Sequence, residues 1–193
     1  MLLNLNNYRV ILGSASPRRK ELLAGLGLSF DVKPMPDLDE SYPSTLGVNT
    51  IPQYIARQKA QAYMDALTEN DLLITADTIV WAMGQVMGKP SDRKEAMEML
   101  RILSAKSHEV ITGVCITTKK RSHAFSVTSV VRFHHLDEEE IEYYVDTYRP
   151  YDKAGAYGIQ EWIGYIGVES IDGSFFNVMG LPVQRLYQEL KKF

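Results

Sequence analysis

The chain has 193 residues, and its 21 basic and 24 acidic side chains give a formal charge of −3. Such mild acidity argues against a nucleic-acid-binding protein, which needs a strongly basic surface. With 45% hydrophobic and 23% charged residues, the composition is that of a folded domain and not of a disordered chain. There is no apolar run of ~20 residues and no visible secretory signal, and the lone Cys115 excludes an intramolecular disulfide. We therefore expect a cytoplasmic protein with no membrane association.

The first part of the chain alternates strand and helix patterns. A buried strand is predicted over residues 8–13, followed by a helix with Ser16 as its cap and Pro17 in its first turn. Residues 33–48 contain three prolines and no regular period, which predicts a loop. The acidic residues of that loop are Asp37, Asp39 and Glu40.

The middle of the chain predicts a helix, a hairpin and another helix. The second helix runs from about Thr50 to Leu67, and a second buried strand covers residues 72–80. Met83-Gly84 is typical of the turn of a hairpin. The third helix follows, with Asp92 and Glu95 spaced as a capping box.

The remainder of the chain continues the alternation and ends on a helix. The predicted strands cover residues 109–118, 122–134, 165–171 and 175–178. A helix is predicted between the second and third of these strands, with Asp137 and Glu140 as its cap, and Pro182 begins the last helix. Because hairpins and crossover connections both occur, the sequence predicts an α/β fold with a mixed sheet.

Three consecutive cations stand in the first turn of the first predicted helix, in Ser14-Ala15-Ser16-Pro17-Arg18-Arg19-Lys20. A helix N-terminus carries partial positive charge and favours acidic side chains, so these cations cost stability unless an anion is bound. Cations, hydroxyls and exposed N–H groups together outline a phosphate site. The alternative is a solvated helix start whose arginines reach a neighbouring carboxylate.

Asp77 interrupts the second predicted strand, which is otherwise apolar. A buried carboxylate needs a cation, a metal ion or hydrogen-bond donors to compensate its charge. In open α/β sheets such a residue can hold a divalent ion or activate water. The alternative is a structural aspartate that accepts backbone hydrogen bonds at a bend.

Three further polar residues stand in unusual surroundings. Lys59 interrupts the apolar stripe of the second helix, where contact with a phosphate and simple snorkelling are both open. Lys89 lies in the turn Gly-Lys-Pro before the third helix. Residues 153–160 combine small residues, which let a ligand approach the backbone, with Gln160, whose amide complements a base edge.

These chemistry-bearing segments form five ordered motifs that span residues 12–182, nearly the whole chain. The motifs are Leu-Gly-Ser-Ala-Ser-Pro-Arg-Arg-Lys-Glu-Leu-Leu at 12–23, Ala-Asp-Thr-Ile-Val at 76–80, Gly-Lys-Pro at 88–90, Ala-Gly-Ala-Tyr-Gly-Ile-Gln at 154–160 and Asn-Val-Met-Gly-Leu-Pro at 177–182. Together they resemble the Maf family of nucleoside triphosphate pyrophosphatases. Gly13 stands where that family often has alanine.

The resemblance implies one domain over residues 1–193, with a long twisted mixed sheet flanked by helices and a cleft between two lobes, related to the inosine triphosphatases. It implies hydrolysis of a nucleoside triphosphate to the monophosphate and pyrophosphate with Mg²⁺ or Mn²⁺, and a homodimer. In the family the aspartate of the Ala-Asp-Thr motif is taken as the proton acceptor, which falls on Asp77. The positions that mark the subgroup preferring dTTP and UTP fall on Arg18, Thr78 and Gln160.

The resemblance and the residue chemistry combine into one predicted site. The residues expected to hold the triphosphate are Ser14, Arg19, Lys59 and Lys89. Glu40 and Asp77 are expected to hold the metal ion, with Asp39 as the alternative to Glu40. The competing interpretations are a non-catalytic nucleotide-binding regulator of cell division and a pyrophosphatase of the 7-methyl-GTP or purine type. Modified pyrimidine nucleotides remain candidate substrates.

Overall fold

The computed structural model describes residues 2–35 and 38–193, and its strands form a mixed β-sheet. The strands are β1 (Arg9–Leu12), β2 (Asp31–Val32), β3 (Asp71–Ala82), β4 (Gln85–Met87), β5 (Ser107–Thr117), β6 (Ser122–Phe133) and β7 (Val168–Asp172). Their order is β2-β1-β3-β5-β6-β7, with β4 paired to β3. Strand β1 pairs in parallel with β2 and β3, whereas β3–β4 and β6–β7 are antiparallel. The predicted α/β class with a mixed sheet is confirmed.

Seven α-helices are found within the described residues. They are α1 (Pro17–Ala24), α2 (Ile51–Ala62), α3 (Arg93–Leu103), α4 (Glu138–Tyr148), α5 (Trp162–Gly167), α6 (Phe175–Met179) and α7 (Val183–Leu190). Short 3₁₀ turns occur at Leu3–Leu5, Val48–Thr50 and Ala154–Ala156. Residues 33–35 and 38–43 have no regular structure, as predicted for the acidic loop, whereas Pro36 and Asp37 lie outside the described residues. No helix of the described ranges is long and apolar enough to cross a bilayer.

The predicted helix caps are confirmed at Ser16 and Asp137, and in part at Asp92. Ser16 accepts a hydrogen bond from the third residue of α1, and Asp137 begins a complete capping box. Asp92 accepts the N–H of Glu95 at 2.8 Å. The Glu95 carboxylate, however, turns to the N–H and hydroxyl of Ser91, so the reciprocal half of that box is wrong.

Residues 175–178 form part of helix α6, so the strand predicted there is wrong. The Ser174 hydroxyl accepts the N–H of Asn177 at 3.3 Å, which is the hydrogen bond of a helix cap. Phe175 and Phe176 are both exposed, whereas a half-buried strand buries every second residue. The apolar pair therefore lies on the outside of a short helix.

The strand predicted over residues 165–171 is correct only in its second half. Helix α5 occupies the chain up to Gly167, and β7 starts at Val168. The turn begins where the N–H of Gly164 donates to the carbonyl of Glu161 at 2.9 Å. A Cβ on Gly164 would meet a backbone oxygen at 1.8 Å, so only glycine permits this helix to pack as closely as it does.

Helix α2 is shorter than its apolar period. It ends at Ala62, where the N–H groups of Tyr63 and Met64 turn to carbonyls three residues back and not four. Tyr63 and Leu67 are nevertheless buried. The periodic pattern up to Leu67 therefore predicts the buried residues correctly, but the helix it predicts is too long.

The chain divides into two compact units, each with its own core. The first consists of the residues up to Asp77 with 112–127 and 180–193, and the second of residues 78–111 and 128–179. In the first unit, buried residues of α2 pack with Ile11, Leu73, Cys115 and Ala124. In the second, the rings of His108, Phe133 and Tyr157 pack edge to face, with centroids 4.9–5.4 Å apart.

Candidate functional site

Helix α2 is fixed on the sheet of the first unit by close backbone contact. Gly113 of β5 has no side chain at the point where α2 begins, and a Cβ there would lie 2.2 Å from backbone atoms of Pro52 and Gln53. One turn later, the Thr75 hydroxyl donates to the carbonyl of Ala56 at 2.7 Å. These contacts determine which residues of α2 face which residues of β3.

Lys59 and Asp77 meet as a consequence of that placement. Lys59 follows Ala56 by three residues on α2, and Asp77 follows Thr75 by two residues on β3. Residues three apart on a helix and two apart on a strand share a face. Since Thr75 and Ala56 are hydrogen bonded, the next pair along both elements comes into contact.

The ammonium group of Lys59 lies between two carboxylates. Its Nζ is 2.8 Å from Asp77 Oδ1 and 2.8 Å from Glu40 Oε1. The Lys59 and Asp77 side chains are each 12% exposed, and that of Glu40 is 46% exposed. Lys59 therefore does not snorkel to solvent, and Asp77 lies within a strand and not at a bend. The buried carboxylate is compensated by a cation, as its position in the sequence requires.

Arg19 is held beside Asp77 by backbone carbonyls. Its Nε donates to the carbonyl of Gly180 and its Nη1 to that of Ala76, each at 2.9 Å. Burial lowers the pKa of Arg19, and the Asp77 carboxylate opposes that effect. Because Ala76 immediately precedes Asp77, the guanidinium is a fixed positive charge at the acidic cluster.

The start of α1 brings two hydroxyls to the same place. Ser14 Oγ accepts the N–H of Ser16 at 3.2 Å and lies 3.5 Å from Arg19 Nη1. Ser16 Oγ accepts the N–H of Arg19 at 3.4 Å. Arg18 lies half-buried in this first turn, and its charge contributes to the lowered pKa of Arg19. Hydroxyls, cations and a helix N-terminus are thus combined as the sequence predicts.

Glu40 and Asp77, the two predicted metal ligands, both contact Lys59. Their carboxylate oxygens are directed to its ammonium group, and Mg²⁺ and Mn²⁺ prefer oxygen ligands of this kind. In residues 2–35 and 38–193 there is no group of three or more metal-binding side chains. Mg²⁺ commonly binds one or two carboxylates and takes its other ligands from water and substrate phosphates. Asp39, the alternative ligand, uses its carboxylate on the N–H and hydroxyl of Ser41.

Thr78, Lys89 and Gln160 belong to the second unit. Their motifs pack together there, because the N–H of Gly155 donates to the carbonyl of Gly88 at 3.0 Å. A Cβ on Gly155 would lie 3.0 Å from a methyl group of Val80. Lys89 is exposed, and Thr78 and Gln160 are half-buried. Close contacts at Gly88 and Gly155 therefore bring these motifs together within the second unit.

The carbonyl of Gln160 stands out within that neighbourhood. Its Oε1 is buried and has no hydrogen-bond partner among residues 2–35 and 38–193. An unpaired buried acceptor costs free energy that a bound N–H donor recovers. Within the described residues this acceptor is therefore left without a partner.

Sequence reasoning missed a buried polar network in the second unit. Tyr144 of α4 hydrogen bonds to Glu161 and to the backbone of Gly158. Lys153, which precedes the fourth motif, is buried beside Glu161 at 3.1 Å. His108 binds the Tyr157 hydroxyl at 2.7 Å. The partners in this network are distant in sequence, so spacing does not predict their contacts. The one indication in the sequence was the position of Lys153 directly before the fourth motif.

A family model described as "Maf-like protein" matches residues 9–193. The chain is 60% identical over 192 residues to a Bacteroides fragilis protein named dTTP/UTP pyrophosphatase, and 61% identical over 193 residues to one of the same name from Parabacteroides distasonis. Both alignments cover 100% of each chain. A Flavobacterium psychrophilum protein of that name is 46% identical over 94% of this chain and 92% of its own. A Mycobacterium abscessus structure titled nucleoside-triphosphatase / dITP/XTP pyrophosphatase aligns over 95% of both chains with a TM-score of 0.43 and 11% identity.

Proposed function

The chain belongs to the Maf family, and on that premise we propose that it hydrolyses dTTP and UTP to the nucleoside monophosphate and pyrophosphate. Full-length relatives that are 56–61% identical to it carry the name dTTP/UTP pyrophosphatase. The observation that carries the proposal is the buried carboxylate of Asp77, flanked by Lys59 at 2.8 Å and by the guanidinium of Arg19 at the preceding carbonyl. Such a carboxylate amid cations suits a reaction at a polyphosphate.

The charge of the substrate explains the number of cations. A nucleoside triphosphate carries about four negative charges near neutral pH, and phosphoryl transfer depends on neutralising them as charge moves to the leaving group. Arg19 and Lys59 supply fixed charge near Asp77, and Ser14 adds a hydroxyl at the start of α1. Lys89 supplies a further exposed cation in the second unit. We assign these four residues to the phosphate chain.

We assign to Asp77 the role of general base. In the proposed reaction its carboxylate accepts a proton from water as the water oxygen bonds to the α-phosphorus. The bond from that phosphorus to the bridging oxygen breaks, and pyrophosphate leaves. Glu40 and Asp77 are the residues that would hold a Mg²⁺ or Mn²⁺ ion. When bound, that ion neutralises charge on the phosphate oxygens.

Base selection is assigned to Arg18, Thr78 and Gln160. Thymine and uracil present an N–H donor between two carbonyl acceptors, and a glutamine amide matches one donor and one acceptor of that edge. The unpaired Oε1 of Gln160 supports this assignment. A Gln160→Glu variant retains an acceptor and loses the donor, so its preference for dTTP over dGTP should fall. Gln188→Glu, on the exposed face of α7, is the matched control.

The test is a substrate panel in which pyrophosphate release is measured with Mg²⁺, with Mn²⁺ and with chelator. The proposal predicts release from dTTP and UTP, with little from dGTP or 7-methyl-GTP, and loss of activity with chelator. Preference for 7-methyl-GTP or purine nucleotides would assign the chain to the other pyrophosphatase type. A melting shift with dTTP and Mg²⁺ but no pyrophosphate would indicate a binding protein without catalysis. We also propose a homodimer, which sedimentation velocity tests directly.

A further inference from the structure

Helix α4 and the start of α5 share a buried network with the segment that ends at Gln160. We propose that Tyr144 and Glu161 are positioning residues for Gln160, and that they determine base selectivity without contact with the base. The proposal rests on the assignment of Gln160 to base recognition. It adds a role for two residues that lie outside the phosphate and metal clusters.

Tyr144 makes two hydrogen bonds from a fully buried position. Its side chain is 0% exposed, and its hydroxyl donates to Glu161 Oε2 and accepts the N–H of Gly158 at 2.9 Å. Burial, together with the hydrogen bond to Glu161, raises the pKa of Tyr144. The hydroxyl therefore stays protonated, and it links residues 158 and 161 on either side of Gln160.

Glu161 extends the network to the other end of the segment. Its second carboxylate oxygen, Oε1, lies 3.1 Å from Nζ of Lys153, which is buried and also 2.8 Å from Asp152. The space is closely filled, because a Cβ on Gly158 would lie 2.8 Å from Cδ of Glu161 and 3.0 Å from Cε of Lys153. Residues 153–161 are thus tied at both ends to one carboxylate.

The backbone within this segment needs such support. Gly155 and Ala156 both have left-handed conformations, with φ of 67° and 59°, and a residue with a Cβ rarely adopts this region unless its surroundings hold it there. Tyr157 is fixed by the hydrogen bond to His108. Gln160 comes next to Glu161, and no hydrogen bond to its Oε1 is found in the described part of the chain. The backbone position of Gln160 therefore depends on the network that holds residues 153–161.

The experiment compares Tyr144→Phe with Tyr148→Phe. Tyr148 lies one turn further on α4, stacks on Tyr144 at 5.1 Å and is 37% exposed. We expect Tyr144→Phe to lower the ratio of kcat/KM for dTTP to that for dCTP by about 2- to 10-fold, the range of one hydrogen bond. The change should come mainly from a raised KM for dTTP, and Tyr148→Phe should leave the ratio unchanged. An unchanged ratio in Tyr144→Phe would overturn the proposal.

A pair of variants at Glu161 separates positioning from loss of folding. Glu161→Gln retains one acceptor, which Tyr144 can use, and loses the ion pair with Lys153. It should therefore keep more of the selectivity than Glu161→Ala, which should lose it to at least the extent of Tyr144→Phe. Equal losses in the two Glu161 variants would contradict the role assigned to the Tyr144 bond. Far-UV circular dichroism and melting curves establish that each variant is folded.

A measurement that is independent of activity is amide exchange at Gly158. We expect Tyr144→Phe to accelerate exchange of this N–H by about 2- to 10-fold, because its acceptor is removed. Unchanged exchange would overturn the network. If the wild-type protein releases no pyrophosphate from dTTP, the proposed function fails by itself. The selectivity ratio is then measured as the ratio of dissociation constants for dTTP and dCTP, and the same expectations apply.

Discussion

Replacement of His108 by glutamine should make the protein more resistant to mild acid. His108 is 3% exposed and packs edge to face between Phe133 and Tyr157. Burial lowers the pKa of His108 to about 4, whereas in the unfolded chain it has the ordinary value of about 6.5. Above pH 6.5 both states are neutral and His108 contributes no pH dependence.

The sign and the size of the effect follow from these two values. As the pH falls below 6.5 the unfolded chain takes up a proton, and the folded protein does not until about pH 4. Folding is therefore disfavoured by about 2 kcal/mol at pH 5, and by about 3 kcal/mol below pH 4. His108→Gln retains a polar group for the Tyr157 hydroxyl and does not titrate.

Urea unfolding of wild type and variant at pH 7.5 and pH 5 measures the effect. The wild-type free energy of unfolding should fall by about 2 kcal/mol more than that of His108→Gln over this interval. His135→Gln, at an exposed histidine, should behave as wild type. Parallel losses in wild type and His108→Gln would refute the assignment of a buried, neutral His108.

Two further predictions concern the placement of α2 and of Lys59. Gly113→Ala should displace α2, because the new Cβ would meet backbone atoms of Pro52 and Gln53 at 2.2 Å. We expect both the rate of dTTP hydrolysis and the free energy of unfolding to fall. Gly47→Ala, in an open loop position, is the control and should change neither. A fully active Gly113→Ala enzyme would show that the position of α2 is not critical. In the absence of nucleotide, the Lys59→Met variant should bind Mn²⁺ with about tenfold higher affinity, because the ammonium group no longer competes for Glu40 and Asp77. Electron paramagnetic resonance measures this affinity. The same variant should lose dTTP hydrolysis, whereas the control Lys94→Met should change neither property. Unaltered Mn²⁺ affinity in Lys59→Met would show that Lys59 and the metal ion do not share Glu40 and Asp77.

The candidate residues of the first unit were predicted from the sequence because they break local rules. Asp77 in an apolar strand and Arg19 in the first turn of a helix are both costly unless something compensates them. The structure supplies that compensation through Lys59 and through backbone carbonyls. The contact between Lys59 and Asp77 could not be read from spacing, because it depends on how α2 rests on Gly113 and Thr75.

The second unit was predicted less well for a related reason. Tyr144 of α4 is buried, and the partners of its hydroxyl lie 14 and 17 residues away in the sequence. Helical spacing does not relate residues that far apart. At residues 175–178 the sequence analysis predicted a strand, and the structure has helix α6. The hydrogen bond from the N–H of Asn177 to the Ser174 hydroxyl stabilises the helix. In the sequence, this single hydroxyl is the only indication of a helix start.

The role of Asp77 is tested most directly by pyrophosphate release from dTTP in an Asp77→Asn variant. Asparagine has nearly the same shape and can still accept a hydrogen bond from Lys59, so folding and dTTP binding should persist. A general base contributes about 10²- to 10⁴-fold to the rate, and we predict that kcat falls by that amount. An Asp77→Asn enzyme with kcat close to the wild-type value would show that the proton is accepted elsewhere.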